Sequence, residues 1–198
     1  MLINYKDKTL NDRYKLMSQT IIPRPIAWIC TEDLEGNINI APFSYFTGLS
    51  SNPPTMIVSI GHKSDETPKD TLKNLRDTQK CTICMVDEAH LKQMHFSSKE
   101  LDDSVSEAEL FGIETQKLLE DFPPMVKDIP SAFFCELYQE IELKDSKTVP
   151  MIVEIKAQYI DEKIIKDFEK LTIDYEPVAR VGKRYALLGK KIEPPKIP

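Results

Sequence analysis

The sequence predicts a mainly β protein with a closed or partly closed antiparallel barrel and a few short peripheral helices. Two observations carry this. From Phe133 to Leu143, the apolar residues Phe133, Cys135, Leu137, Ile141 and Leu143 alternate with Glu136, Tyr138, Glu140 and Glu142, and Met151, Val153, Ile155, Ala157 and Tyr159 repeat the pattern. Such period-two patterning marks half-buried strands of antiparallel sheets. Three further short apolar runs lie between residues 26 and 60, and closing so many strands into a barrel hides their edges.

Taken in order, the runs are Ile26–Thr31, Asn37–Ala41 and Thr55–Ile60. Glu35-Gly36-Asn37 suits a tight hairpin between the first two, and Pro42 is expected to end the second strand. Ser51-Asn52-Pro53-Pro54 breaks the chain before the third. Thr67-Pro68-Lys69-Asp70 reads as a helix start with Thr67 as N-cap and Leu72 and Leu75 as the buried stripe. Helices are also expected over 104–111 and over 162–170, where Ile164, Ile165 and Phe168 share a face. No repeat or linker divides the 198 residues, so residues 1–198 are expected to form one domain ending in an extended Pro-rich tail over about 190–198.

Composition excludes several functions. Net charge is -6, with 26 Lys+Arg against 32 Asp+Glu and no basic block, which argues against a nucleic-acid surface. The six glycines are too scattered for GxGxxG or GxxxxGK[ST], and no Gly-x-Ser-x-Gly elbow is present. Lys6, Asp7 and Lys8 interrupt any apolar leader, and nowhere do about 20 apolar residues run together, so no membrane segment is expected. Cys81 and Cys84 form a CxxC, but on a strand residues three apart face opposite ways. Buried structural thiols are therefore expected at Cys30, Cys81, Cys84 and Cys135, with no metal and a cytoplasmic setting.

Chemistry gathers in two segments. Lys63, Ser64, Thr67, Lys69 and Thr71 surround a helix start that follows a strand, which is the make-up of a phosphate site, partly offset by Asp70; a solvated, capped helix would look the same. Asn39-Ile40-Ala41-Pro42-Phe43-Ser44-Tyr45-Phe46 supplies an amide, hydroxyls and rings that can meet the edge and face of a flat heterocycle, or a loop plugging the barrel end. Ser50 and Ser51 add small donors. Trp28 reads as barrel core, and His62 as a surface or capping residue that tunes a flavin only if close. Arg24, rigid between two prolines, contacts either a partner subunit or a cofactor.

Pro23-Arg24-Pro25-Ile26-Ala27-Trp28, Asn39, Ala41-Pro42-Phe43-Ser44, Ser51-Asn52-Pro53-Pro54, Ser59-Ile60-Gly61 and Lys69-Asp70-Thr71 follow one another in an order and spacing that resemble the flavin reductase-like, FMN-binding split-barrel family, which includes flavoredoxins. Val105-Ser106-Glu107 with Glu109-Leu110 and Gly112, then Pro177-Val178-Ala179-Arg180 with Tyr185 and Leu188-Gly189, resemble its later blocks, so the likeness runs from about residue 15 to 190. The resemblance implies a six-stranded antiparallel Greek-key split barrel, a homodimer, and one noncovalent FMN per subunit near the dimer interface. It implies that Thr31, Asn39, Ala41, Pro42, Phe43 and Ser44 line the isoalloxazine and ribityl chain. Ser59, Ile60, Gly61, Lys63, Lys69 and Thr71 flank the phosphate side, with Ser50 and Ser51 between. The chain departs from the family pattern at His95-Phe96-Ser97-Ser98 and at Val181-Gly182-Lys183, which bears on the shape of the substrate entrance more than on cofactor binding.

A bound flavin carries the hydride or electrons itself, so the absence of a catalytic triad is expected. The first expectation is an NAD(P)H oxidoreductase of the flavin reductase type, acting on small molecules. The alternatives are a flavoredoxin-like carrier that serves a redox partner protein without turning over NAD(P)H, and a flavin-free interaction barrel.

Overall fold

Only Ser44 and Tyr45 separate the strand Ile38–Phe43 from the strand Phe46–Ser51, yet these two strands are the opposite edges of one seven-stranded sheet. The three residue steps from Phe43 to Phe46 span at most about 11 Å, so the sheet must curl until its edges meet at that corner without a ladder to close them. The result is the split barrel expected. The computed structural model describes residues 1–101 and 105–195. The strands are β1 (Ala27–Glu32), β2 (Ile38–Phe43), β3 (Phe46–Ser51), β4 (Pro54–Gly61), β5 (Lys80–Met85), the short pair β6 (Thr115–Gln116) and β7 (Met125–Val126), β8 (Ser131–Glu140), β9 (Thr148–Ile160), β10 (Ile165–Asp167), β11 (Thr172–Ile173), β12 (Val178–Val181) and β13 (Arg184–Leu187). The helices are α1 (Leu10–Thr20), α2 (Asp70–Thr78), α3 (Leu91–Phe96) and α4 (Glu107–Phe111). The main sheet runs β2-β1-β5-β8-β9-β4-β3 and is antiparallel throughout; β3 makes seven strands where six were expected.

Each face of this sheet buries its own core. Inside the curl, Ala27, Ile29, Phe46, Met56, Val58, Ile60, Ile83 and Met151 pack against Leu72 and Leu75 of α2, which stoppers the barrel. Outside it, Trp28, Cys30, Ile40, Cys84 and Phe134 pack under Met94 of α3 and the segment carrying Ile113, Phe122, Met125 and Ile129. The two sulfurs of the CxxC part as the strand geometry requires, Cys81 joining the inner cluster and Cys84 the outer. All four thiols are buried and unbridged. Cys84 beside Cys30, and Cys81 beside Cys135, together with burial, push the Cys30 and Cys135 thiols well above their ordinary range.

The β1–β2 hairpin turns where expected. Asp33 N–H donates to the Asn37 carbonyl at 3.0 Å, the Asp33 carboxylate accepts from the Glu35 and Asn37 N–H groups, and Gly36 sits at φ 87°. A side chain there is strained whatever space surrounds it. Gly36→Ala should therefore cost about 1 kcal/mol, read as a lower denaturant midpoint with an unchanged slope.

Five local expectations need correction. Pro42 does not end its strand: it lies within β2, paired with Trp28, because β2 is an edge where a missing N–H costs no ladder bond. Thr67 is not the N-cap: its hydroxyl donates to Asp65 Oδ1 at 2.6 Å, and the helix begins at Asp70 behind Lys69. The helix over 104–111 is the five-residue α4, and its expected start at Ser104 lies outside the described residues. Residues 162–170 form one 3-10 turn, Glu162–Ile164, followed by the β10–β11 hairpin, since Asp161 caps that turn through Lys163 N–H and the β-branched Ile164-Ile165 pair suits extended backbone. Finally, β8 is not one greasy and one wet face: Phe134 and Cys135, at a register shift, are both buried in opposite cores, and the strand then runs out to solvent over Tyr138, Gln139 and Glu140. The tail carries neither helix nor strand from Leu188 to Pro195; Lys196, Ile197 and Pro198 lie outside the described residues. No described helix is long and apolar enough to cross a membrane.

Candidate functional site

The edge strand β2 and the start of α2 meet over the barrel mouth. Asn39 on β2 is buried, and its Nδ2 donates to Thr71 Oγ1 on α2 at 2.8 Å and to Thr31 Oγ1 on β1 at 3.3 Å. Asn74, one turn along α2, donates to the same Thr31 oxygen at 3.3 Å. These four polar side chains are thereby satisfied inside an apolar mouth, and they lock strand to helix.

Above them opens a cleft lined by Asn39, Ala41, Pro42 and Phe43 on one side and Lys63, Lys69 and Thr71 on another, with Ser97 and Ser98 closing a third. Seven of the residues expected to line a ligand thus come together. Ser44 and Ser59 line an adjoining recess that shares Pro42, Phe43 and Ser98 with the cleft. Thr31 lies beneath Asn39, within the polar lock. Ile60 is wholly buried in the inner core, so it can offer a ligand only its backbone. Gly61 ends β4 with nothing within 4 Å of where a Cβ would stand. Ser50 and Ser51 stand apart: they pair with Thr55 and Pro54 at the start of β4, whereas Ser59 and Gly61 lie at its end. Five or six residues of strand, about 17–20 Å, separate them from the cleft of their own chain.

The cleft's electrostatics are mixed. Lys63 Nζ lies 2.8 Å from Asp70 Oδ1, and Glu100, which also lines the cleft, accepts from the Ser64 hydroxyl at 2.8 Å. The N-cap Lys69 makes no side-chain cap, which leaves the first turn of α2 presenting N–H groups beside an ammonium. Hydroxyls, an amide, lysines and an uncapped helix start are the donor set that a phosphate monoester on a polyol chain requires, and the rings of Pro42 and Phe43 suit a flat heterocycle. The residues fit FMN.

Two functional residues went unread as such in the sequence. Ser97 lines the cleft while its Oγ accepts from Trp28 Nε1 at 2.9 Å, tying the site to the outer core. Glu107 of α4 lines the cleft, and its Oε2 accepts the Ile40 N–H at 3.3 Å. Both stand inside blocks visible in the sequence, but a buried carboxyl could be found only from its contacts. Burial, with Asp70 nearby, pushes the Glu107 carboxyl above its ordinary value against the opposing Ile40 hydrogen bond and Lys63. A carboxyl raised in the folded state holds its proton more readily there than when unfolded. Stability therefore falls as pH rises from the ordinary carboxylate range through the raised value, and stays lower above it. Glu107→Gln keeps an acceptor for Ile40 and removes that loss. It should melt higher than the parent at pH 7, and equal to it near pH 4, by calorimetry.

The other singled-out residues are placed plainly. Trp28 is fully buried core. His62 Nδ1 lies 2.6 Å from the Lys147 carbonyl, a structural bond away from the cleft lining. Arg24 is buried within its own chain, against the end of α1 and the Tyr45 ring. His95 and Ser98 line the recess, whereas Val181, Gly182 and Lys183 line a separate groove against α1.

Comparison with known proteins bears on this arrangement. Residues 17–172 match the family model described as Flavin reductase like domain. An uncharacterized protein of Aquifex aeolicus is 32% identical over 177 residues, covering 87% of each chain. Among solved structures, nitrilotriacetate monooxygenase component B from Bacillus cereus is 29% identical with a TM-score of 0.90 over 98% of both chains. The Pseudomonas fluorescens 2-nitrobenzoate 2-nitroreductase NbaA is 29% identical with a TM-score of 0.89, covering 100% of this chain and 96% of that one.

Proposed function

The chain belongs to the flavin reductase-like family of split-barrel flavin oxidoreductases, and from that premise we propose that it holds noncovalent FMN in the β2–α2 cleft and is reduced there by NAD(P)H. The observation that carries this reading is the meeting of Asn39, Pro42 and Phe43 with Lys63, Lys69 and Thr71 in one cleft. Bound FMN supplies the hydride chemistry, which is why no nucleophile or general base is needed.

The protein's part is to bind and orient. Lys63, Lys69 and the start of α2 hold the phosphate; Asn39 is fixed by Thr71 and Thr31, so its carboxamide is preorganised toward the ribityl chain. Pro42 and Phe43 would lie against the ring system and exclude water from it, and the adjoining recess that they share with Ser44 and Ser59 would admit a small-molecule substrate.

A homodimer belongs to this reading. Thr47, Gly48, Leu49, Ser50 and Ser51 lie exposed along the edge strand β3, and Leu10, Tyr14 and Met17 of α1 with its C-cap Ile21 form an exposed apolar stripe. Exposed edges and apolar stripes of this kind call for cover. In such a dimer Ser50 and Ser51 serve the partner's cleft rather than their own.

The test is anaerobic titration of the FMN-loaded protein with NADH and NADPH. Bleaching of the flavin absorbance is expected with at least one of them. Absence of bleaching with both, combined with rapid reduction by a reduced protein donor, would replace the reductase reading with that of an electron carrier.

A further inference from the structure

The recess beside the cofactor cleft has a character of its own. Phe43, Tyr14, Tyr45 and Tyr185 give it aromatic walls, and His95 and Arg180 its polar side. Among the described residues no Asp or Glu lines it, while Asp70, Glu100 and Glu107 all line the neighbouring cleft. In a chain of net charge -6, a recess whose described lining carries a cation and no carboxylate is a local reversal of the protein's charge balance.

A second arginine deepens that reversal. Arg24 and Arg180 exchange backbone hydrogen bonds of 3.0 and 2.9 Å, which places both behind the same wall. Arg24 is only 4% exposed, and its guanidinium lies 5.5 Å from the centroid of Tyr45, a recess residue. Its Nη1 donates to the Ser18 and Ile21 carbonyls, but Nε and Nη2 have no hydrogen-bond partner. A buried cation so incompletely satisfied is costly, and an anion held nearby offsets the cost.

Geometry holds the polar groups ready. The Arg180 guanidinium stacks 4.7 Å from the centroid of Tyr185, and its Nε donates to the Gly182 carbonyl at 3.2 Å. The Tyr185 hydroxyl lies 2.9 Å from His95 Nδ1, with the two rings nearly perpendicular at 82°. Arginine, tyrosine and histidine are thus braced against one another before any ligand arrives, which lowers the ordering cost of binding. The open space of about 250 Å³ falls below the roughly 300 Å³ at which drug-sized sites begin, and so encloses one substituted ring at a time, with the remainder of any larger molecule outside it.

We infer that this recess binds a planar aromatic anion, one ring bearing a carboxylate or phenolate, stacked among the tyrosines with its charge toward Arg180. That this ligand faces the flavin rests on the cofactor reading above; that it binds does not. The probes are benzoate and its neutral isostere benzamide, titrated into the purified protein by saturation-transfer NMR and calorimetry, with FMN uptake measured on the same preparations. Benzoate should bind about ten- to a hundredfold more tightly, the size of a charge-assisted hydrogen bond, and Arg180→Met should erase the preference. Equal affinity for the two probes, or a preference that survives in Arg180→Met, overturns the inference. The comparison in the parent protein decides without any variant, should Arg180→Met fold poorly. A preparation that takes up no FMN but still prefers benzoate sinks the cofactor reading and supports this one; FMN uptake with no preference does the reverse.

Discussion

Trp28→Ala is expected to cost about 3–5 kcal/mol, the range for deleting a fully buried aromatic side chain whose surroundings collapse only in part. In a chain of this size that lowers the melting temperature by about 6–20 °C. The indole is wholly buried in the outer cluster, facing Met94 and Cys84 across β1 and β5. Its Nε1 donates to Ser97 Oγ at 2.9 Å, and that hydroxyl in turn donates to the Met94 carbonyl at 2.9 Å. The substitution therefore removes core volume and also frees Ser97, a residue lining the β2–α2 cleft. Trp28→Phe separates the two effects, since it keeps most of the apolar contact while giving up the bond to Ser97. It should be markedly milder in thermal unfolding followed by circular dichroism. A loss under about 1 kcal/mol for the alanine variant would mean that the outer cluster is not a cooperative part of the barrel.

What could be read from the sequence follows from which residues carry a one-dimensional signal. Strands β1, β2, β4 and β9 were visible because their apolar runs are bounded by turn residues that act locally, such as Gly36 at positive φ and Pro53 before β4. The edge strand β3 was not, since only Phe46 among its six residues is buried and no alternation reaches the sequence. Helix α1 was missed for a related reason: Leu10 and Ile21 are 79% and 52% exposed, so its apolar stripe faces outward and marks no core. The opposite error occurred at 162–170, where helical spacing of Ile164, Ile165 and Phe168 was real but Phe168 is 75% exposed. Periodicity reports a face; it cannot report what covers that face.

The same limit applies to the site. Each half was legible, because donors beside a helix start and an amide beside two rings are local compositions. Their union was not, because it depends on Asn39 reaching Thr71 across 32 residues through the curl of the sheet. The ordered motifs supplied that union as a resemblance, and the register of β2 against β1, with α2 stoppering the barrel, supplies the physical reason.

Lys69→Ala should weaken FMN binding about ten- to a hundredfold, or roughly 1.4–2.7 kcal/mol, and leave riboflavin binding unchanged. The phosphate is the only difference between these ligands, so the ratio of their affinities isolates it. Lys69 stands at the N-cap of α2 with no side-chain cap of its own, beside N–H groups that the alanine variant retains. Residual discrimination for FMN is therefore expected, from backbone donors and the helix dipole alone. Lys63→Ala should have the smaller effect, because Asp70 at 2.8 Å already shares that ammonium. Lys73, on the exposed outer side of α2 and lining an acidic groove, is the control whose removal should change neither affinity. The Lys69 contribution should also shrink as salt is raised, since the residue is only half-buried and its attraction is screened. If flavin fluorescence titrations show riboflavin losing affinity in step with FMN, Lys69 acts on the shape of the cleft and the phosphate lies elsewhere.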